Sequence, residues 1–169
     1  MGSNRRGFIK KTTTAAVGVA VTCNTLNAMS ALSYRNIIGS NNRLNVAIAG
    51  LGRRLNAFKS PIGSKQSNFK LLYLCDVMES QRLKALKGFK DLISYTPKLE
   101  NDIRKVIGDY NVDLLINSAR DHWHTPGSIM ALQAGKHVYV EKPCSHSRHE
   151  NEQLVQAAKK YDKGMLSMV

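Results

Sequence analysis

Four polar segments directly follow apolar, β-branched stretches of the sequence, and each contains side chains or glycines that could do chemistry. A glycine can bring its backbone close to a phosphate, a carboxylate can accept hydrogen bonds from hydroxyl groups, and a lysine ammonium can polarise an oxygen or transfer a proton. The segments are Gly50-Leu51-Gly52-Arg53-Arg54, Asp76, Ser118-Ala119-Arg120-Asp121-His122-Trp123-His124 and Glu141-Lys142-Pro143.

The first two segments suggest a dinucleotide. Gly50 and Gly52 match the start of a pyrophosphate-binding fingerprint, although position 55 is leucine where a third glycine is expected. The two arginines that follow Gly52 either add charge to phosphate binding or are solvated. Asp76 lies 26 residues after Gly50 and could accept hydrogen bonds from the 2′- and 3′-hydroxyls of a ribose. Because an acid would repel a 2′-phosphate, NAD is favoured over NADP; the alternative for Asp76 is a helix N-cap.

The last two segments suggest the reactive end of such a site. Lys142 could polarise a substrate oxygen or assist proton transfer, and the alternative is a structural Glu141–Lys142 pair. His122 and His124 have no further ligand at metal-binding spacing, so no metal is expected. Trp123 is expected to pack beside a ligand ring or to cap the core.

Strands and helices alternate regularly around these segments. Near-continuous apolar strands that alternate with helices predict a doubly wound parallel α/β sheet (Rossmann-like), at whose carboxyl edge all four segments would meet. We predict strands over 44–50, 69–76, 112–118, 137–141 and 164–169, with a short strand in 94–97. We predict helices over 79–90 and 98–108, from Thr125-Pro126 to Gly135, and from a capping box at Ser147 and Glu150.

The N-terminus has the composition of an export signal. The chain has 169 residues and a net charge of +13, of which residues 1–33 contribute +4 without any acid. Arg5-Arg6, Phe8 and Lys10 precede a modest apolar run, as in a twin-arginine signal; the alternative is a basic amphipathic tail. We therefore predict a signal peptide over 1–33, a linker over 34–43, a dinucleotide-binding domain over 44–169, and export through the Tat machinery.

The remaining bulk features exclude several classes. The basic residues outside the signal are scattered and lack the interleaved aromatics of a nucleic-acid binder, so no nucleic acid is expected. No apolar run reaches the length of a membrane span. The three cysteines have no zinc-binding spacing.

The segment GKHVYVEKP at 135–143, together with DHWH at 121–124 and the strand–GLG–strand–Asp unit, resembles the Gfo/Idh/MocA oxidoreductase family from Leu44 to Val169. The resemblance implies a Rossmann domain followed by an α/β substrate domain, which this chain would lack. It also implies NAD(P)-dependent oxidation or reduction of a sugar or polyol hydroxyl, with Lys142 as the catalytic residue and any homo-oligomer contacts on the missing domain. The predicted cofactor-binding residues are Gly50, Gly52, Arg53, Arg54, Asp76, Ser118, Asp121, His122, Trp123, His124, Glu141 and Lys142.

The sequence departs from the family pattern at Leu55 and at Arg120, where a threonine-proline pair commonly precedes DHWH. These departures predict altered packing near the pyrophosphate and nicotinamide. The sequence is compatible with three hypotheses: the nucleotide-binding half of an exported sugar or polyol oxidoreductase, a glycosidase of the same family that uses NAD transiently, and a truncated domain without catalysis.

Overall fold

The computed structural model describes residues 43–64, 66–161 and 165–167, the last three as backbone only. The predicted signal peptide over 1–33 and the linker up to residue 42 lie outside the described residues. In the described part of the chain, no helix is long and apolar enough to cross a membrane.

The described residues form one parallel sheet of six strands in the order β3-β2-β1-β4-β5-β6. The central strand β1 pairs with β2 on one side and with β4 on the other. The direction of winding therefore reverses between β1 and β4, which confirms the predicted doubly wound sheet. The strands are β1 Leu44–Ala49, β2 Phe69–Cys75, β3 Lys98–Glu100, β4 Leu114–Asn117, β5 His137–Val140 and β6 Met165–Ser167.

Helices cover both faces of the sheet because successive strand residues alternate between two apolar clusters. Val46 and Ile48 of β1 belong to the cluster that contains the buried residues of α1 and α2, whereas Ala47 and Ala49 belong to the cluster that contains those of α3, α4 and α5. The helices are α1 Leu55–Gly63, α2 Glu79–Phe89, α3 Ile103–Gly108, α4 His124–Gln133 and α5 Arg148–Tyr161, with a 3-10 helix at Asp121–Trp123.

The predicted helix over 98–108 is wrong in its first half. Residues 98–100 form the edge strand β3, and the short strand expected in 94–97 therefore lies just beyond that range. Helix α3 begins only at Ile103, because Asp102 is its N-cap and accepts a hydrogen bond from the Arg104 amide at 2.9 Å.

Two predicted helix starts differ in their capping. Helix α4 begins at His124, and the Thr125 hydroxyl donates to the Cys144 carbonyl at 3.0 Å instead of capping the helix. Helix α5 has half of its predicted capping box. The Glu150 amide donates to the Ser147 hydroxyl at 3.2 Å, but the Glu150 carboxylate accepts from the amide of His146.

Candidate functional site

The carboxyl ends of β2, β1, β4 and β5 lie side by side at one edge of the sheet. In open α/β sheets, ligands bind at this edge, where the winding reverses between two neighbouring strands. All four polar segments of the sequence follow these strands. The fold therefore brings them to the same crevice, although 91 positions separate Gly50 from Glu141.

The first turn of the glycine loop, residues 50–54, requires a glycine. Gly50 has φ +87°, and a Cβ at this position would lie 2.3 Å from the Ala119 nitrogen and the Ser118 oxygen. The Ser118 hydroxyl donates to the Gly50 carbonyl at 2.7 Å. The ends of β1 and β4 are thus in direct backbone contact, and the predicted cofactor residue Ser118 holds the glycine loop.

The second turn of the glycine loop is open. A Cβ on Gly52 would meet nothing within 4 Å. The amides of Gly52 and Arg53 donate no hydrogen bond to any other described residue, and both lie just before Arg54, the N-cap of α1. Leu55, in place of the third glycine, is 6% exposed and belongs to the apolar cluster beneath α1. Open space and unbonded amides before a helix fit a phosphate group, and the leucine is accommodated in the core.

Asp76 directs its carboxylate at the glycine loop. One carboxylate oxygen accepts from the Leu51 amide at 2.8 Å, and the other accepts from the Met78 amide at 2.9 Å. The N-cap of α2 is Met78, so the alternative interpretation of Asp76 as an N-cap is wrong. Each carboxylate oxygen has a second lone pair for a further donor such as a ribose hydroxyl.

Glu141 forms its ion pair with Arg54 and not with Lys142. The Arg54 Nη2 and Glu141 Oε1 atoms are 3.0 Å apart, and the Glu141 side chain is only 3% exposed. Burial raises the pKa of the neighbouring Tyr139 phenol, and the negative charge of Glu141 raises this pKa further. Because Glu141 pairs with Arg54, the alternative of a structural Glu141–Lys142 pair is wrong. Lys142 is exposed, and the described residues give its ammonium neither an ion pair nor a hydrogen bond.

Asn117, at the end of β4, organises the loop that follows, and sequence reasoning missed it. Its side chain is fully buried, and its amide nitrogen donates to the Trp123 and His124 carbonyls and to the Ser128 hydroxyl at 3.0–3.2 Å. An amide at the end of an otherwise apolar strand was the available signal, because a buried amide needs hydrogen-bond partners.

The DHWH segment divides into an exposed part and a buried part. Asp121, His122 and Trp123 are exposed, with Trp123 45% exposed, whereas His124 is only 2% exposed. The His124 Nδ1 lies 2.5 Å from the Pro143 carbonyl oxygen, and its Nε2 lies 3.1 Å from that of Ala119. Both ring nitrogens therefore face backbone carbonyl oxygens, and a neutral imidazole can donate its single N–H to one of them. In the described part of the chain, no group of three or more His, Cys, Asp or Glu side chains could hold a metal ion.

The comparisons with known proteins agree with this arrangement. Residues 44–168 match the Gfo/Idh/MocA family, described as "Oxidoreductase family, NAD-binding Rossmann fold". The chain is 27% identical to an alpha-N-acetylgalactosaminidase of Tannerella forsythia over 92% of its length. It is 25% identical to an inositol 2-dehydrogenase of Salmonella paratyphi B over 74% of its length. These alignments cover 36% of each relative, so the chain spans about a third of their length.

Solved structures of low sequence identity share the fold. One is the WlbA dehydrogenase of Bordetella pertussis in complex with NADH and UDP-GlcNAcA, which superposes with a TM-score of 0.64 at 19% identity. Another is the apo scyllo-inositol dehydrogenase of Lactobacillus casei, with a TM-score of 0.66 at 21% identity. The superpositions cover 75% of this chain and 35% and 36% of the two structures, respectively.

Proposed function

Because this chain belongs to the Gfo/Idh/MocA oxidoreductase family with its NAD-binding Rossmann fold, we propose that residues 44–169 form the NAD-binding half of an enzyme that oxidises or reduces a hydroxyl group of a sugar or polyol. The observation that carries the proposal is the open, unbonded second turn of the glycine loop, which lies at the same sheet edge as Asp76 and Lys142. The inositol 2-dehydrogenase relative supports a polyol as substrate.

The dinucleotide would lie across the carboxyl edge. The amides of Gly52 and Arg53 would bind the pyrophosphate. The charge of Arg54 is matched by that of the buried Glu141, so Arg54 would hold the glycine loop in place beside the cofactor without adding net charge. Asp76 would accept the ribose hydroxyls with its remaining lone pairs, and this favours NAD over NADP.

Lys142 would act beside the nicotinamide. In the oxidative direction, the substrate carbon gives a hydride to NAD⁺, the hydroxyl loses its proton, and the alcohol becomes a carbonyl compound. The exposed Lys142 side chain, which forms no ion pair with the described residues, is available to contact the substrate oxygen. As the neutral amine it would accept the hydroxyl proton and become the ammonium, and in the reductive direction the ammonium would return that proton to the carbonyl oxygen. Lys142→Ala in a protein that also carries a substrate domain should abolish turnover but keep NAD binding. Lys159→Ala on α5 is the matched control.

NADH titration of the full 169-residue chain tests the dinucleotide site. Trp123 is the single tryptophan and follows β4 at the crevice edge, so its emission should decrease with saturable transfer to the nicotinamide. NADPH should bind more weakly, and Asp76→Ala should reduce that difference. A folded chain that binds neither dinucleotide would refute the proposal and would favour a domain without this function.

A glycosidase is the second candidate, because the alpha-N-acetylgalactosaminidase aligns with 92% of the chain. Such an enzyme would oxidise the sugar with bound NAD⁺, eliminate the leaving group and return the hydride to the product. Glycoside cleavage without net NADH would support this candidate. Stoichiometric NADH with an intact glycosidic bond would support the dehydrogenase.

Export by the twin-arginine route is part of the proposal. It depends on Arg5-Arg6, Phe8 and Lys10 and on the small apolar residues that follow. The chain should reach the periplasm or cell surface in a host with a Tat translocase, and Arg5→Lys with Arg6→Lys should retain it in the cytoplasm. Export of that double variant would contradict the route.

A further inference from the structure

Two neighbouring side chains of α4 hold the loop that carries Lys142. This loop, residues 141–144, leaves β5 at the crevice edge. The His124 Nδ1 lies 2.5 Å from the Pro143 carbonyl oxygen, and the Thr125 hydroxyl donates to the Cys144 carbonyl at 3.0 Å. Both side chains are 2% exposed, so water competes little for these contacts.

The same imidazole reaches the loop after β4. The His124 Nε2 lies 3.1 Å from the Ala119 carbonyl oxygen, and the Ala119 backbone contacts the face of Gly50 where a side chain would lie. Asn117 donates to the carbonyl of His124 itself. His124 is therefore fixed at its backbone and links the Lys142 loop to the glycine-loop side of the crevice.

We propose that His124 and Thr125 are positioning residues that fix the backbone immediately after Lys142 and so aim its ammonium at the nicotinamide end of the site. The inference rests on the proposed function for the identity of the ligand. It gives His124 a role different from the direct cofactor contact predicted from sequence, because both ring nitrogens already face backbone carbonyls.

Paired variants separate the individual contacts. Thr125→Val removes the hydroxyl at nearly constant shape, and Thr125→Ser restores it. His124→Asn keeps a donor near the Nδ1 position and so near Pro143, whereas His124→Gln places its donor near the Nε2 position and so near Ala119. Ser128→Ala is the matched structural control, since Ser128 is buried on the same helix and contacts Asn117.

NAD⁺ and ADP-ribose, titrated calorimetrically into the full chain, report the effect on the nicotinamide end. ADP-ribose lacks the nicotinamide, so its affinity should stay within about twofold in every variant. The NAD⁺ affinity should fall about fivefold in Thr125→Val and His124→Gln, because a released loop backbone would intrude on the nicotinamide end, and about 1 kcal/mol of a lost hydrogen bond produces a change of this size. Lys142→Ala leaves both loop contacts in place, so it should not show this loss. Thr125→Ser and His124→Asn should recover the affinity. Ser128→Ala should lower the unfolding midpoint and leave the affinity ratio unchanged.

A ligand-free signal makes the test independent of dinucleotide binding. The lysines are dimethylated with ¹³C-labelled methyl groups, and the NMR resonance of Lys142 is assigned by its absence in Lys142→Arg. This resonance should shift in Thr125→Val and His124→Gln and stay in place in Ser128→Ala. A wild-type chain that binds neither NAD⁺ nor ADP-ribose would refute the proposed function, and the Lys142 resonance would still decide the positioning role. Folded variants with an unchanged affinity ratio and an unchanged Lys142 resonance would overturn it.

Discussion

The two glycines of the glycine loop should respond differently to replacement by alanine. Gly50→Ala should lower the free energy of unfolding, whereas Gly52→Ala should lower the affinity for the dinucleotide. Gly50→Ala places a Cβ 2.3 Å from two backbone atoms of the β4 end, at φ +87°. The left-handed backbone costs about 1–2 kcal/mol for a residue with a side chain, and forced overpacking costs about 1–3 kcal/mol more. We therefore expect the free energy of unfolding to fall by about 2–5 kcal/mol.

Gly52→Ala is the matched control in the same loop. Its Cβ meets nothing within 4 Å, and its φ lies outside the left-handed region, so the stability should change by less than about 1 kcal/mol. The new methyl group would occupy the space proposed for a phosphate. The NADH affinity should therefore fall at least about tenfold, as expected when a phosphate loses close contact with charge-assisted donors.

Urea unfolding of the full chain, followed by far-UV circular dichroism, measures the stability half of this prediction. With typical urea slopes of about 1–3 kcal/mol/M, the Gly50→Ala midpoint should fall by on the order of 1–2 M, and the Gly52→Ala midpoint should stay in place. Equal midpoints for Gly50→Ala and wild type would refute the close approach of β1 and β4. Unchanged NADH binding by Gly52→Ala would refute the phosphate position.

Three further predictions concern the described side chains. Burial and then nearby negative charges raise the pKa of the Cys75 thiol to about 12, so mass spectrometry should find it unlabelled by a thiol reagent near pH 8 while Cys144 reacts; equal labelling would contradict this. Hydrogen bonds donated by the arginine two residues later lower the pKa of Asp102 from 3.8 to about 2. The stabilisation that the ionised carboxylate gives to the folded chain is therefore complete above about pH 4 and is lost as the pH falls towards 2. The Tm of the wild type should therefore exceed that of Asp102→Asn above about pH 4, and the difference should disappear as the pH falls towards 2. A full difference at pH 2 would contradict this prediction. Asn117→Asp sets a carboxylate against two backbone carbonyls and should cost about 2–4 kcal/mol in urea unfolding, whereas Asn151→Asp should cost little.

Most of the sheet could be predicted because its strands are short, continuous apolar runs that end at polar residues. The edge strand β3 could not, since Leu99, Ile103, Val106 and Ile107 have the spacing of one helical face. The apolar residue of the exposed edge strand happens to lie four positions before the first apolar residue of the short helix, so the two elements together imitate one helical face. Asp102 was the discriminating signal, because an N-cap aspartate marks where the helix starts.

The residue types of the site could be predicted from one rule, that polar groups after parallel strands meet at the carboxyl edge. Which of these side chains contact one another could not be predicted. The sequence offers Glu141 an adjacent lysine, yet the structure pairs it with Arg54, 87 residues away. Neighbouring residues of an extended chain point to opposite sides, which agrees with a buried Glu141 beside an exposed Lys142. Such pairings depend on the order of the strands, which no local pattern encodes.

The polar links at the crevice follow the order of the sheet. Asp76 joins the end of β2 to the glycine loop after β1, Ser118 joins that loop to the end of β4, and His124 joins the loops after β4 and β5. The Arg54–Glu141 ion pair adds a link from the glycine loop directly to the end of β5. A substitution at one strand end should therefore disturb the neighbouring ends as well. Lys142 forms no ion pair or hydrogen bond with the described residues, so its ammonium stays available while the links fix the backbone that carries it.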